Sequence, residues 1–512
     1  MRAPVMLSVG LALLSCAWVF GTSPFSGPDE AAHYNRALGL LNGELVGDRD
    51  ERTETWPGLS AKQSKFVRSN SRWVNIPAGM SPMGYPCNVQ QPAVPANCHP
   101  PPSTSPTREA TYTGNYLPMF YAAVAPALAL TSGAVTANIL GRLAAALISI
   151  LLWSLAAGTL WSPKLGFRSV AGLLVATTPM SLYLMSCLTP SSFCVAGGLG
   201  VVAGLIALGR EKEPPDRAWV TLAISGAALV LSRPEGVLYL FFDAFFFAVW
   251  VGPRRLSELT WTHRRQALRT ASALIVTAGS SVGWTLKEGP NSALEGAGFW
   301  AALPTAVKQL PEWTRHQIGN FQYLDTPMPE WIYVTYIVLI CVCLLTALIV
   351  GSRRDRAAVV GCLATVLIWP VVFDLFVIRP TEWGLQGRYV LPLTVSLPMI
   401  ACEVIARNRR PRLPSRVGEM MWIGVAATMM LILITGWWVN SRRSSVGLDG
   451  PYLFWRAAVW SPPLGWWPWL AATVLGAGCV AIALFARGTG ENAASGGHAH
   501  GHTAPELLDP LP

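Results

Sequence analysis

The chain has 512 residues, of which 52% are apolar and only 13% are charged, and it contains 22 tryptophans. Soluble domains carry about 25% charged residues, so this composition excludes a soluble enzyme, a coiled coil and a disordered protein. The formal net charge of +10 would suit a nucleic-acid-binding protein. The basic residues, however, cluster in short loops between apolar segments, and this placement argues against nucleic acid as a partner.

Apolar segments long enough to cross a bilayer recur along the chain, since a spanning helix needs about 20 mostly apolar residues. The sequence therefore predicts an all-α polytopic membrane protein with about twelve transmembrane helices. The first is interpreted as an uncleaved anchor, because no small-residue cleavage site precedes Pro24. The predicted segments are 5–21, 137–160, 169–186, 193–208, 218–231, 236–251, 270–286, 331–350, 357–378, 389–405, 420–439 and 464–485.

The basic loops predict the orientation. With the N-terminus in the cytoplasm, every short inner loop carries Lys or Arg, from Lys164 and Arg168 to Arg407 and its neighbours. This is the positive-inside pattern of a multi-pass protein with both termini cytoplasmic, here expected in a bacterial inner (plasma) membrane. Anionic membrane lipids are then the partners of the positive charge.

One further apolar stretch, 115–130, is not counted as a span. Counting it would invert every later loop and place the basic residues outside. It is predicted to be a juxtamembrane helix on the outer surface, with Tyr112, Tyr116, Phe120 and Tyr121 at the membrane interface.

The predicted organisation has six parts. The two extracytoplasmic loops are too polar to cross the membrane, and the tail is rich in Gly, Ala and His. The parts are a first anchor (1–22), an extracytoplasmic loop with juxtamembrane helices (23–136), transmembrane helices 2–7 (137–286), a second extracytoplasmic loop (287–330), transmembrane helices 8–12 (331–487) and a disordered cytoplasmic tail (488–512).

Cysteine usage fits this map. Of ten cysteines, only Cys87 and Cys98 lie in a polar outer loop. An extracytoplasmic compartment permits a disulfide between them, and two free thiols are the alternative. Cys98 is followed by His99, but no second ligand pair completes a metal site, so no metal site is predicted.

The first chemical motif opens the outer loop at 27–36. Asp29 and Glu30 directly follow the first helix, at the level where a lipid-linked substrate would present its headgroup. Either carboxylate could act as a general base. His33 and Arg36 follow at helical spacing on the same side and are candidates for binding an acceptor. The simpler interpretation is a good helix start, with Pro at the first position and acidic residues in the first turn.

The second motif is the outer turn 379–389. Arg388 stands where the next helix begins, and its planar guanidinium suits a phosphate. Glu382 and Trp383 in the same turn are candidates for binding an acceptor or a sugar. The alternative for Arg388 is contact with lipid headgroups.

The loop 313–327 is aromatic and polar, which suits stacking on sugar rings, and His316 is its candidate ligand-binding residue. An interfacial aromatic belt is the alternative.

Arg142 and Arg233 lie at the outer ends of predicted helices, where charged residues are candidates for a function. Here they are candidates for binding the donor phosphate. Asp243 lies deeper and is interpreted as a charge buried against a neighbouring helix.

Three motifs together resemble a known superfamily. They are Gly-Pro-Asp-Glu-Ala-Ala-His at 27–33, the segment 319–327, and Leu-Gln-Gly-Arg-Tyr-Val-Leu-Pro at 385–392. With the single N-terminal span before them, they look like a bacterial family of predicted membrane proteins within the GT-C superfamily. Its members are polytopic glycosyltransferases that use polyprenyl-phosphate-linked sugars on the extracytoplasmic face.

The resemblance implies roles for particular residues. Asp29 would be the general base, Glu30 a helper or a ligand of the acceptor, and Arg388 a ligand of the donor phosphate. Arg142 matches an arginine found early in the second span of relatives. Two features depart from the pattern. The run at 115–118 is Asn-Tyr-Leu-Pro where relatives show Pro-Pro, and the outer turn at 188–191 lacks an acidic residue.

The expected function is an inverting glycosyltransferase with a polyprenyl-phosphate sugar donor and a glycan, lipid or protein acceptor. A composition rich in Ala, Arg, Gly, Pro and Trp is typical of actinobacterial proteins, for which decaprenyl-phosphate arabinofuranose or mannose would be the donor. No cofactor is expected to be obligatory, although a divalent cation is compatible with the chemistry. The alternatives are a transporter or lipid-linked sugar flippase, a polymerase or ligase that uses lipid diphosphates, and a non-catalytic scaffold.

Overall fold

The computed structural model describes residues 2–50, 58–289, 299–408 and 415–485, so the predicted tail at 488–512 lies outside the described residues. The described chain is mostly helical. The α-helices are α1 (Arg2–Gly21), α2 (Glu30–Leu41), α3 (Ala61–Asn70), α4 (Pro118–Leu128), α5 (Ala134–Leu160), α6 (Arg168–Ala176), α7 (Pro179–Met185), α8 (Ser191–Arg210), α9 (Asp216–Ser232), α10 (Gly236–Thr262), α11 (Arg264–Glu288), α12 (Phe299–Lys308), α13 (Leu310–Gly319), α14 (Glu330–Val350), α15 (Arg353–Phe373), α16 (Leu391–Thr394), α17 (Ser396–Arg407), α18 (Ser415–Val446) and α19 (Trp467–Phe485).

Among the described residues, eight helices are long and apolar enough to cross a membrane: α1, α5, α8, α10, α14, α15, α18 and α19. The sequence predicted about twelve, and the four remaining segments differ for physical reasons. Segment 169–186 is divided between α6 and α7, because Thr177 and Thr178 leave the helical conformation before Pro179, which has no N–H to donate. Segment 389–405 begins in a 3₁₀ turn and continues as α16 and α17. Helix α9 has only 17 residues, and α11 is less apolar than the eight.

Close approach between helices depends on small residues. Gly10 of α1 faces Gly476 of α19, and a Cβ on Gly10 would lie 2.8 Å from the Gly476 carbonyl oxygen. Phe20, near the end of α1, stacks on Trp469, near the start of α19, with ring centroids 3.9 Å apart. The two helices are therefore antiparallel and packed through glycine, as is common where lipid supplies no hydrophobic drive for association.

Helix α8 is the most enclosed of the eight, with 94% of its apolar window buried. It packs against α5, α9 and α10. Gly197 and Gly204 face the backbone of α9, where an added Cβ would lie 2.7 and 3.1 Å from carbonyl oxygens of Ser225 and Ala218. Helix α5, which carries Arg142, and helix α9, which leads into Arg233, thus both pack on α8.

A small layer with β-structure, which the sequence did not predict, lies beyond the end of α1. Strands β1 (Asp48–Arg49), β2 (Arg72–Ile76) and β3 (Thr107–Thr111) form an antiparallel sheet in the order β1-β2-β3. The sheet packs on α2, which in turn packs on α4. The predicted juxtamembrane helix is α4, and its 11 residues are too few to span a bilayer.

Candidate functional site

Asp29 lies in the turn between α1 and α2. Its backbone has φ of 55°, a left-handed conformation that is uncommon for residues with a side chain. This turn sends the carboxylate out to the surface, where 33% of the side chain remains exposed. The Tyr112 hydroxyl donates to its Oδ1 at 2.9 Å, and Nη2 of Arg388 donates to its Oδ2 at 3.3 Å.

The Asp29 carboxylate is ionised at neutral pH. Burial by itself would raise its pKa, but the positive charge of Arg388, followed by smaller contributions that include Tyr112 and Arg233, outweighs burial. The pKa of Asp29 therefore lies below its ordinary value. A carboxylate that is charged, accessible and not fully bonded can accept a proton from a ligand.

Arg388 belongs to a 3₁₀ turn, Gly387–Tyr389, that precedes α16. Helix α13 holds this turn from one side. The Gly387 N–H donates to Nδ1 of His316 at 3.3 Å, and a Cβ on Gly387 would lie 1.9 Å from the Trp313 carbonyl oxygen. Only glycine allows the turn to approach α13 so closely, and this approach sets the position of Arg388.

Arg233 brings a second positive charge to the same place. It directly follows α9, its Nη1 lies 3.6 Å from Glu235, and its buried Nε has no hydrogen-bond partner within the described residues. Its guanidinium carbon lies 5.4 Å from the Tyr389 ring centroid, and that of Arg388 lies 5.6 Å from the same ring. The two arginines therefore flank one aromatic ring, and both act on the charge of Asp29. Their arrangement suits an anion.

Glu30 and Arg142, which the sequence analysis placed in the site, instead bind each other below the Asp29 turn. Glu30 Oε1 accepts from Arg142 Nε at 2.7 Å and from the Leu188 N–H at 2.9 Å. Its Oε2 accepts from Arg142 Nη2 at 2.5 Å and from the Gly27 N–H at 3.0 Å. The other guanidinium N–H groups donate to the carbonyls of Val19, Thr22 and Ser23.

Both side chains are fully buried, and every N–H of Arg142 already has a protein acceptor. No donor remains for a phosphate, and no Glu30 oxygen is free for an acceptor hydroxyl. Contrary to the sequence prediction, the structure therefore places Glu30 and Arg142 where they support the turn that carries Asp29.

His33 and Arg36 are also buried, and the structure does not show them as acceptor ligands. His33 Nδ1 is hydrogen-bonded to the Tyr121 hydroxyl at 2.8 Å, and desolvation by burial lowers its pKa to about 3. The imidazole is therefore neutral at physiological pH. Arg36 donates to the backbone carbonyls of Glu44, Leu45 and Tyr116.

The remaining residues predicted to bind a ligand belong to the turn that carries Arg388 or contact it. His316 is buried, with Nε2 3.0 Å from Glu312 and Nδ1 bonded to the turn. Glu382 contacts α3, where Lys62 lies 3.9 Å from its carboxylate. Trp383 is 40% exposed. Within the described residues, no hydrogen bond or ion pair joins His316, Glu382 or Trp383 to Asp29.

The chain matches a known protein family over most of its length. A family model described as "Predicted membrane protein (DUF2142)" matches residues 12–397. The chain belongs to this family. None of the curated proteins compared with the chain matches it. The DUF2142 match includes both Asp29 and Arg388. The family description extends only to membrane protein, and the chemistry of a protein depends on its site rather than on its fold.

The tyrosines around this site were not predicted from the sequence. Tyr112 and Tyr116 were assigned to the membrane interface, whereas the structure places Tyr112 on Asp29 and the Tyr116 ring 6.0 Å from Arg233. Tyr323 and Tyr389 also lie within electrostatic reach of Asp29. A signal was present for Tyr323 and Tyr389, which lie within two of the three motifs, but nothing in the pattern shows that they converge with Tyr112 and Tyr116.

Two other features of the DUF2142 chain concern covalent and metal chemistry. Cys87 and Cys98 form a disulfide, with Cα atoms 5.7 Å apart. Among the described residues, no group of three or more His, Cys, Asp or Glu side chains is arranged to hold a metal ion.

Proposed function

We propose that this protein is an inverting glycosyltransferase that takes a sugar from a polyprenyl-phosphate donor on the extracytoplasmic face of a bacterial plasma membrane. One observation carries the proposal. An accessible, ionised carboxylate, Asp29, lies 3.3 Å from Arg388, and Arg388 shares the Tyr389 ring with Arg233. A proton acceptor therefore lies directly beside a dicationic anion site.

The reaction that fits these groups is a single displacement. Asp29 removes the proton from an acceptor hydroxyl as the hydroxyl oxygen attacks C1 of the donor sugar. The bond between C1 and the phosphate oxygen breaks, and the electron pair leaves with the phosphate. Arg388 and Arg233 stabilise the departing polyprenyl phosphate. Attack on the face opposite the phosphate inverts the anomeric centre.

Arg388 has a second effect in this scheme. Without donor, it lowers the pKa of Asp29, which makes Asp29 a weak base. When a phosphate binds Arg388, part of that positive charge is compensated by the phosphate. The pKa of Asp29 then rises toward the range in which a carboxylate is an effective base. Donor binding therefore activates the base.

The layout of the chain supports the same proposal. Asp29 lies just beyond the end of the membrane helix α1, where a lipid-linked headgroup would be presented, and Arg388 and Arg233 act on it there. The motifs resemble those of the GT-C superfamily. The basic loops lie at the opposite ends, which favours an extracytoplasmic site. The two arginines supply the charge that a divalent cation would otherwise provide, so the scheme has no obligatory cofactor. The acceptor is a cell-envelope glycan, lipid or protein.

A membrane transporter or lipid-linked sugar flippase is the second candidate, and Asp243 in α10 is the observation that favours it. This carboxylate is buried, accepts from Ser396 Oγ at 2.6 Å and has one oxygen without a partner in the described chain. Buried intramembrane carboxylates are typical of transport pathways. A transporter would lose function in Asp243→Asn and retain it in Asp29→Asn, whereas the glycosyltransferase requires the reverse.

The proposal is tested by transfer of radiolabelled sugar in membranes that express the wild type or Asp29→Asn. The donors are decaprenyl-phosphate arabinofuranose and mannose, and the products are separated into glycan, lipid and protein fractions. We expect one donor to label one fraction in wild-type membranes, and Asp29→Asn membranes to lose that labelling at equal protein level. The proposal would be overturned if, with every donor, membranes with and without the expressed protein were labelled equally.

A further inference from the structure

The segment that presents Tyr323 is a hairpin in an unusual backbone conformation. Strands β4 (Asn320–Phe321) and β5 (Thr326–Pro327) are antiparallel and short. The residues on either side of Tyr323, Gln322 and Leu324, have φ of 54° and 62°. Two left-handed residues with side chains in one turn are unfavourable, and such strain persists only where the surroundings hold it.

Several buried bonds hold the hairpin. Asn320 donates to the Leu324 carbonyl at 3.0 Å and accepts from the Thr326 N–H at 3.1 Å. Arg443 of α18, which is fully buried, lies 3.1 Å from the Asp325 carboxylate. These contacts fix both ends of the turn and leave Tyr323 at its tip.

One hydroxyl ties the hairpin to the turn that carries Asp29. Tyr183 donates to the Ser26 carbonyl at 2.8 Å and accepts from the Gln322 N–H at 3.1 Å. Ser26 is three residues before Asp29, and Gln322 directly precedes Tyr323. The positions of Tyr323 and Asp29 are therefore set by the same buried group.

The Tyr323 phenol is half-buried beside Asp29 and Tyr112. Among the described residues, no hydrogen bond occupies its hydroxyl. The three carboxylates that act on this phenol are each paired with an arginine, Asp29 with Arg388, Glu30 with Arg142 and Asp325 with Arg443. These pairs leave none of the three arginines unpaired to attract an anionic ligand, whereas a neutral ligand rich in hydroxyl groups can bond to the phenol and to the Asp29 carboxylate.

We propose that Tyr323 binds the acceptor, and that the acceptor is a neutral glycan. This inference rests on the proposed function, because it divides that site in two. Arg388, Arg233 and Tyr389 hold the donor phosphate, whereas Tyr323 and Tyr112 hold the sugar whose hydroxyl faces Asp29. The strained hairpin supplies a rigid phenol, which loses little freedom when a ligand binds.

The test is equilibrium binding with two probes on the purified full chain in nanodiscs. Radiolabelled methyl disaccharides of mannose, arabinofuranose and glucose probe the acceptor side by equilibrium dialysis. Farnesyl phosphate, a short polyprenyl phosphate, probes the donor side by tryptophan fluorescence. The variants are Tyr323→Phe, which keeps the ring, Tyr323→Ala and Arg388→Gln. Tyr452→Phe is the matched control, because Tyr452 is 74% exposed and outside the site.

We expect the wild type to bind at least one disaccharide and Tyr323→Phe to bind it about tenfold more weakly, the effect of one hydrogen bond. Tyr323→Ala should lose more, and the farnesyl phosphate affinity of both should match the wild type. Equal disaccharide affinity in wild type and Tyr323→Phe, or no disaccharide bound by the wild type, would overturn the inference. Failure of the proposed function would appear separately, as farnesyl phosphate binding that is absent or unchanged by Arg388→Gln.

Discussion

Arg388 and Asp29 are 359 residues apart in the chain, and their side chains meet at 3.3 Å. Arg388 is nearly buried, with 5% of its side chain exposed, whereas 33% of Asp29 is exposed. An ion pair that is partly open to solvent contributes little to stability. The pair instead places two groups side by side, a carboxylate that can accept a proton and a guanidinium that can bind an anion. A substrate can separate them.

Asp29→Asn should slow sugar transfer strongly and leave binding of the donor phosphate intact. The amide has nearly the shape of the carboxylate but cannot accept the acceptor's proton. General-base catalysis contributes about 10²–10⁴-fold, so transfer should fall by that factor. Initial rates with labelled donor measure transfer, and farnesyl phosphate titration measures binding.

The matched control for this change is Asp48→Asn, because Asp48 is a highly exposed carboxylate of the same outer layer, and its partner among the described residues is Arg108 on the surface. Its transfer rate should equal that of the wild type. Full transfer in Asp29→Asn would remove Asp29 from the mechanism.

Arg388→Gln should weaken binding of farnesyl phosphate about 30-fold or more, since removing a nearly buried arginine from a phosphate costs about 2–5 kcal/mol. Arg388→Lys should recover part of the affinity, because lysine keeps the charge and loses the planar fork. Arg233→Gln should have a smaller effect in the same direction, as Arg233 already has Glu235 nearby. Fluorescence titration of the three variants gives the order, and an unchanged affinity in Arg388→Gln would contradict the phosphate assignment.

The sequence could predict the two motifs that form the site, around Asp29 and Arg388. It could not predict which of the adjacent residues in a motif has its side chain in the site. Asp29 and Glu30 are adjacent acids after the first helix, and composition does not distinguish them. The left-handed backbone of Asp29 directs its side chain outward, and Glu30, the first residue of α2, points inward to Arg142. Backbone conformation at a single residue therefore separates a candidate base from a structural acid.

The fold was predictable where hydropathy alone decides it. The eight long apolar helices all lie on predicted segments. The segment that breaks between α6 and α7 has the hydropathy of a span, but Pro179 and its threonines interrupt it. The antiparallel β-sheet was missed because its strands are short and polar, with residues such as Arg72 and Arg108, and such strands lack the alternation by which strands are found.

Arg142→Gln should destabilise the protein by about 3–5 kcal/mol, because removing one partner leaves the other charge buried and unpaired. The side chains of Arg142 and Glu30 are at most 1% exposed. The comparison variant is Arg108→Gln, whose partner Asp48 is exposed, with an expected change of about 0–1 kcal/mol. Unfolding of the purified protein, followed by tryptophan fluorescence, measures both. Similar midpoints for the two variants would show that the buried pair does not stabilise the Asp29 turn.

The pH dependence of transfer should follow the protonation of Asp29 and not that of a histidine. Because the folded-state pKa of Asp29 is lowered from 3.8, the base stays ionised until the pH falls through that lowered value, and kcat/KM is lost only there. The acid limb of the kcat profile should lie at higher pH than that of the kcat/KM profile, because the bound phosphate compensates the positive charge of Arg388. Burial lowers the pKa of His33 to about 3 and that of His316 from 6.5, so no limb is expected near 6.5. Rates measured from neutral to acid pH would assign the base to a histidine if kcat/KM, which reports the free enzyme, fell near 6.5.

Gly387→Ala should disconnect Arg388 from Asp29 without removing either side chain. The added Cβ would lie 1.9 Å from the Trp313 carbonyl oxygen, so the 3₁₀ turn must move away from α13 and lose its bond to His316. Gly384→Ala is the matched control in the same turn, because no atom of the described residues lies within 4 Å of its Cβ position. We expect Gly387→Ala to weaken farnesyl phosphate binding and to lose transfer, and Gly384→Ala to keep both. If the two alanine variants behave alike, contact with α13 does not position Arg388, and its geometry depends on Asp29 and Tyr389 instead.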